Sequence, residues 1–268
     1  MPSSRASSPI RKARKKPSRI RFAARWLRRR WATTSTWVRV LVIATAILIS
    51  LPLVNLVVQV IRKPTELWFV ADGTLAKQPA ETWRHYGASF REFSTDRISP
   101  ELLAALTQTE STGNPVVRTY WRWRWSWNPA AWYKPASSAV GLLQMTDPAF
   151  AEASRFCIRD HRVVSDCWFT SLYFRTLPSH AIELASIYLD RQVAGVMATA
   201  PGTTASPQQR QDLAALIHLC GARPARAFVR RGFRPLPGER CGDHLVALYL
   251  GKVNAMAQQF ARLAKAGD

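Results

Sequence analysis

Acidic residues are missing from the first 39 positions, and the chain has no CxxC pair and almost no strand-like alternation. The first absence matters because thirteen of the 38 lysines and arginines lie in that stretch, leaving 25 to set against all 17 acidic residues. A formal charge of +21 over 268 residues suggests nucleic acid at first sight, but most of the excess belongs to one tail. Cysteine is scarce, and none of the five histidines has the spacing of a zinc site, so no metal and no cofactor is expected. There is no internal repeat and no long low-complexity run. With alternation absent, the fold class expected is mostly α.

Beyond the tail the chain turns apolar. Val40–Ile61 carries no charge in 22 positions; as a helix it spans about 33 Å, enough for a hydrocarbon core of roughly 30 Å. Pro52, Asn55 and Gln59 weaken the run without breaking it. A signal peptide would be shorter and end in small residues, whereas this run ends in VQVIRKP. The Arg28–Arg30 run lacks the rest of a twin-arginine signal. A buried core helix would not be apolar on all faces behind thirteen cations. The cations hold the N-terminus in the cytoplasm, so the expectation is one span with the C-terminal part outside. On that side of the membrane the remaining basic residues do not meet nucleic acid.

The organisation expected is a basic disordered tail (1–39), a transmembrane helix (40–61), a connector (62–98) and a helical domain (99–268). In the connector, PAETWRHYGASFREF has the pattern of an amphipathic helix, and Trp68 and Phe69 fit an interfacial belt. In the domain, Ser99-Pro100-Glu101 starts a helix with a cap, a first-position proline and an acid in the first turn. Further helices start at Thr146-Asp147-Pro148, Pro178-Ser179 and Ser206-Pro207, the last ending at Gly221, and a final one runs from about Asp243 to Lys265. Cys157, Cys167, Cys220 and Cys241 all fall in the exported part. An even count there suggests two disulfides, and of three pairings Cys157–Cys167 with Cys220–Cys241 closes the shortest loops. Four free thiols are the weaker alternative outside the cytosol.

One carboxylate stands out. Leu103, Leu106 and Glu110 step by three and four, so Glu110 shares an apolar helix face. Gly113, Asn114 and Pro115 then end the helix. Loss of water disfavours the charged form of a carboxyl, which suits a general acid. The plain alternative is a glutamate at a frayed helix end, paired with an arginine of the next loop.

Glu110-Ser111-x-x-Asn114-Pro115, followed by Ser138-Ala139-Val140-Gly141-Leu142-Leu143-Gln144-Met145, resembles two signatures of the lytic transglycosylase SLT domain, E-S-x-x-N-P and G-A-x-G-L-M-Q. The resemblance extends over about residues 99–264. PSHAIELASIYLDR takes the place of the family's N-I-x-x-G-x-x-Y-L helix, and HLVALYLGKVNAM that of its Y-V-x-K-V segment. It implies a lysozyme-like fold in a bacterial inner-membrane protein whose periplasmic domain cleaves the β-1,4 bond between N-acetylmuramic acid and N-acetylglucosamine. The product is a 1,6-anhydro sugar. By the same resemblance Glu110 is the catalytic acid and base, Ser111 the hydroxyl beside it, and Gln144 a groove-lining amide. Ser138 adds a polar contact, and Gly141 lets backbone approach beneath the substrate. Ordinary glycosidases use two carboxylates, and Asp147 and Glu152 fit the start of their own helix better than a second catalytic role. Two positions depart from the pattern. His180 replaces an asparagine, and in LIHLCG His218 stands where the family's tyrosine contacts the acid. His218 either donates a hydrogen bond to Glu110 or is a satisfied core histidine. The partner implied is the glycan strand; protein partners are not specified. The alternative function is a non-catalytic peptidoglycan-binding assembly factor of an envelope machine.

Between the two signatures lies YWRWRWSW, Tyr120–Trp127. Alternation puts Trp121, Trp123, Trp125 and Trp127 on one side of a strand and Arg122 and Arg124 on the other. As an insertion beside the groove, Trp123 and Trp125 are candidates to stack on sugars, with an arginine for carboxylates. The alternative, expected for at least two of the four, is that the rings cap the core.

Overall fold

The computed structural model describes residues 26, 28–63, 75–117, 119–128, 131–168 and 172–267. Most of the basic tail, and Trp68 and Phe69 of the connector, lie outside that range. The chain falls into two units, Met1–Val54 and Asn55–Asp268.

In the first unit, residues 28–33 are helical, which corrects the expectation of a structureless tail for this part. Arginine is a good helix former, and Thr34 Oγ1 donates back to the Arg30 carbonyl at 2.7 Å. Helix α1 runs Thr36–Arg62, four residues earlier than expected at its start. Among the described residues it is the one helix long and apolar enough to cross a membrane.

The second unit begins with the last turns of α1. Asn55, Gln59 and Lys63, four apart, are all buried, and Lys63 Nζ donates to Thr119 Oγ1 at 2.5 Å. Asn55 and Gln59, which weaken the span in sequence, thus join Lys63 in one sheltered stripe, as burial of polar groups requires. After it come α2 (Pro79–Glu92), α3 (Pro100–Ser111), the hairpin β1–β2 (Trp121–Trp123, Tyr133–Pro135) and α4 (Asp147–Ala153). The hairpin β3–β4 (Cys157–Arg159, Arg162–Val164), α5 (Pro178–Ala198), α6 (Pro207–Cys220) and α7 (Ala222–Arg230) follow. The short hairpin β5–β6 (Arg240–Cys241, His244–Leu245) leads into α8 (Val246–Gly267). All three hairpins are antiparallel and two-stranded.

α3 is the central helix. Leu102, Leu103, Ala104, Ala105, Leu106 and Thr107 are all buried, so it is enclosed on every side and not along one stripe. α8 lies along it, with α2, α5 and α6 completing the shell. Its start is the expected one: Leu102 N–H donates to Ser99 Oγ at 3.2 Å, with Pro100 at the first position. The connector helix exists as α2, and its Thr82 Oγ1 donates to Gln108 Oε1 of α3 at 2.7 Å. The disulfides are Cys157–Cys167 and Cys220–Cys241. The second ties the C-terminus of α6 to β5.

Candidate active site

Glu110 occupies the last turn of α3, where the buried helix surfaces; its side chain is 23% exposed. The chain leaves it by a forced route. Thr112 and Gly113 both have positive φ, 51° and 72°. A Cβ on Gly113 would lie 2.5 Å from Thr82 Oγ1, so glycine is needed there on two counts. The Gly113 carbonyl accepts from Lys77 Nζ at 3.1 Å, and buried Asn114 accepts the Val116 N–H at 2.9 Å. The residues of the E-S-x-x-N-P pattern after Glu110 therefore build the turn.

Across from this helix end, Tyr249 of α8 donates its hydroxyl to Glu110 Oε1 at 2.6 Å. Tyr249 is buried, and its pKa is raised by that burial and by the facing carboxylate, so it stays a donor. His218 of α6 brings Nε2 to 3.7 Å from the same oxygen, beyond hydrogen-bond length. Neither expectation for His218 holds as stated: it is beside the acid, but the hydrogen bond comes from Tyr249. The signal for Tyr249 was in YLGKV, whose tyrosine opens the Y-V-x-K-V-like segment.

One cavity opens on this pair, and a second is lined by His218 beside it. One, about 330 Å³, is lined by Glu110, Arg240, Asp243, His244, Tyr249 and Lys252. The other, about 220 Å³, is lined by Gln144, Thr146, Tyr188, His218 and Gly221 among others. Gln144 is thus brought to the site through His218, although its Nε2 is held by the Gly141 carbonyl at 2.9 Å. Sequence reasoning missed the β5–β6 contribution, including Asp243, a second carboxylate on the cavity of Glu110.

Three candidates move away from the site. Ser111 is 2% exposed and donates its hydroxyl to the Thr107 carbonyl at 2.9 Å, so it has no free face for a sugar. Gly141 (φ 81°) is indeed a close approach, but to the chain itself: a Cβ there would lie 1.9 Å from the Arg175 carbonyl oxygen. Ser138 lines a different, larger cavity. Its carbonyl and that of Met145 accept from Arg175 Nη1 at 3.1 and 2.9 Å, while Arg175 Nη2 reaches Asp147 Oδ1 at 2.6 Å. Arg175, not singled out in the sequence, pins the whole Gly141 turn. His180 accepts from the Phe174 N–H at 3.2 Å and lies edge-on to Tyr173, a local packing role.

The tryptophan run is a strand only to Trp123, so the expected alternation stops there. Trp121 and Trp123 flank Tyr133 at 5.1 and 4.8 Å between centroids. Trp123, Trp125 and Trp127 are 73%, 89% and 97% exposed, so core capping fails for these three. Among the described residues none from β1 or β2 lines the cavity of Glu110 or the one beside His218. Among the described residues no His, Cys, Asp and Glu cluster could hold a metal.

No family model matches the chain, and no curated protein matches it.

Proposed function

We propose that the protein is a membrane-anchored lytic transglycosylase that cleaves the N-acetylmuramic acid–N-acetylglucosamine β-1,4 bond of peptidoglycan, with its lysozyme-like domain in the periplasm. The observation that carries this reading is the Glu110–Tyr249 hydrogen bond on the wall of a cavity, with His218 beside the same carboxylate oxygen.

Because Oε1 accepts the tyrosine hydrogen, the proton Glu110 gives up is carried on Oε2. It passes to the glycosidic oxygen as the C1–O bond breaks, and the carbonyl oxygen of the sugar's own N-acetyl group closes on C1. Tyr249 then stabilises the carboxylate that remains. In the second step that carboxylate takes the hydrogen of the 6-hydroxyl, whose oxygen attacks C1 and displaces the acetamido oxygen. The product is the 1,6-anhydro sugar, no water is consumed, and Glu110 ends protonated as it began. Arg240, His244 and Lys252 supply hydrogen-bond donors on the Glu110 cavity for lactyl and stem-peptide carboxylates.

Asp243 favours a second reading, hydrolysis, because two carboxylates on one cavity are what water-using glycosidases need. Full-length protein in detergent is expected to release soluble fragments from purified peptidoglycan, Glu110→Gln to release none, and Asp243→Asn to retain activity. Loss of activity in Asp243→Asn supports hydrolysis. Wild-type protein that binds glycan and releases nothing contradicts both readings and leaves a non-catalytic assembly factor.

A further inference from the structure

The described residues of the hairpin of exposed tryptophans do not line the cavity of Glu110. The hairpin's other face does have a setting. Arg122 and Lys134 line a cavity of about 900 Å³, together with Arg62 and Lys63 from the end of α1, and Arg175. Among the described residues that line it, one acid stands against these five basic ones: Asp147, already held by Arg175. Arg122 and Lys134 are also direct cross-strand partners. Like charges placed opposite each other destabilise a ladder, so an anion shared between them would relieve the pair.

The cavity also lies where the chain leaves the bilayer. Thr36 to Val54 covers about 28 Å as a helix, close to the ~30 Å of hydrocarbon. The buried polar stripe begins at the next residue, and its Gln59 and Lys63 line the cavity. Indole rings open to water on this scale are costly in solution and favoured in the interfacial layer of a membrane.

From this juxtaposition we infer that the hairpin and the cavity form a second membrane contact. Trp123, Trp125 and Trp127 seat in the interfacial layer on the outer side, and the cavity's cations take the phosphates of anionic phospholipid headgroups. Continuity with the end of α1, and the absence of described β1–β2 residues from the lining of the Glu110 cavity, favour lipid over glycan as the occupant. The inference is independent of what Glu110 catalyses.

Amide hydrogen exchange of the full-length protein tests it in three settings: nonionic detergent, phosphatidylcholine nanodiscs, and nanodiscs containing phosphatidylglycerol. Peptides covering 119–135 should exchange more slowly in nanodiscs than in detergent, and slowest with phosphatidylglycerol. Trp125→Ala with Trp127→Ala, both side chains exposed, should remove the protection in either disc. Arg122→Gln should remove only the phosphatidylglycerol increment, about fivefold for one charge near an anionic surface. Peptides from α3 serve as the control for folding. Equal exchange of wild-type protein in all three settings overturns the inference. So does protection that appears only when soluble peptidoglycan fragments are added, which would make the hairpin a glycan contact.

Discussion

Glu110 is useful only if its proton is in the right place, and the residue that decides this is Tyr249. Replacing the tyrosine by phenylalanine deletes a hydrogen bond to a charged group, worth about 1.5–3 kcal/mol. Turnover of peptidoglycan by Tyr249→Phe should fall roughly 10- to 150-fold with the fold intact, whereas His218→Gln should cost less, because its contact is longer. Equal losses from the two variants would contradict the assignment. The raised pKa of Tyr249 adds a stability prediction. In the unfolded chain tyrosine ionises near its ordinary value of 10.0, while the folded hydroxyl holds its proton, so the unfolded state binds fewer protons. Stability is therefore fully present below that value and declines as pH rises above it, by up to about 1.4 kcal/mol per pH unit for this group. Melting temperatures between pH 9 and 11 should fall less steeply for Tyr249→Phe than for wild type; parallel curves would argue against it. Glu110 was legible in sequence because helix spacing and the turn behind it are local. Tyr249 was not, because it lies 139 residues away and no local pattern joins the two.

Helices with a proline, serine or threonine start could be read directly: α3, α4, α5 and α6 begin where those residues put them, and α2 where its amphipathic pattern does. α7 was missed because it starts immediately after Gly221, which reads as a stop. Apart from β1, read from the alternating tryptophans, the strands were invisible for a different reason: strands of two or three residues are too short to show alternation. The Gly141 turn was recognised by its residues but assigned to the substrate, when its tight approach is to Arg175. Gly141→Ala should therefore destabilise the domain by several kcal/mol through strain at positive φ and a backbone clash. A melting temperature within a degree or two of wild type would show that the turn adjusts.

At the scale of the molecule, the site is assembled from distant stretches: the end of α3, the end of α6, and β5–β6 with the start of α8. Cys220–Cys241 joins two of these, linking the helix that carries His218 to the hairpin that walls the Glu110 cavity. A bridge closing a loop of this separation, 21 residues, stabilises by about 3 kcal/mol. Cys220→Ser with Cys241→Ser should lower both melting temperature and turnover; unchanged turnover would mean the walls hold without it. Both pairings were legible from loop length, whereas the sheltered stripe of Asn55, Gln59 and Lys63 was not, since sequence shows only that the first two interrupt an apolar run and the third follows it.

The central claim is that one carboxyl acts as acid and then as base without water. Mass spectrometry of the fragments released from peptidoglycan by the full-length protein tests it most directly. The account predicts muropeptides with 1,6-anhydro termini, lighter by one water than reducing ends, and none from Glu110→Gln. Reducing ends from wild-type protein, or anhydro ends that persist in Glu110→Gln, would contradict it.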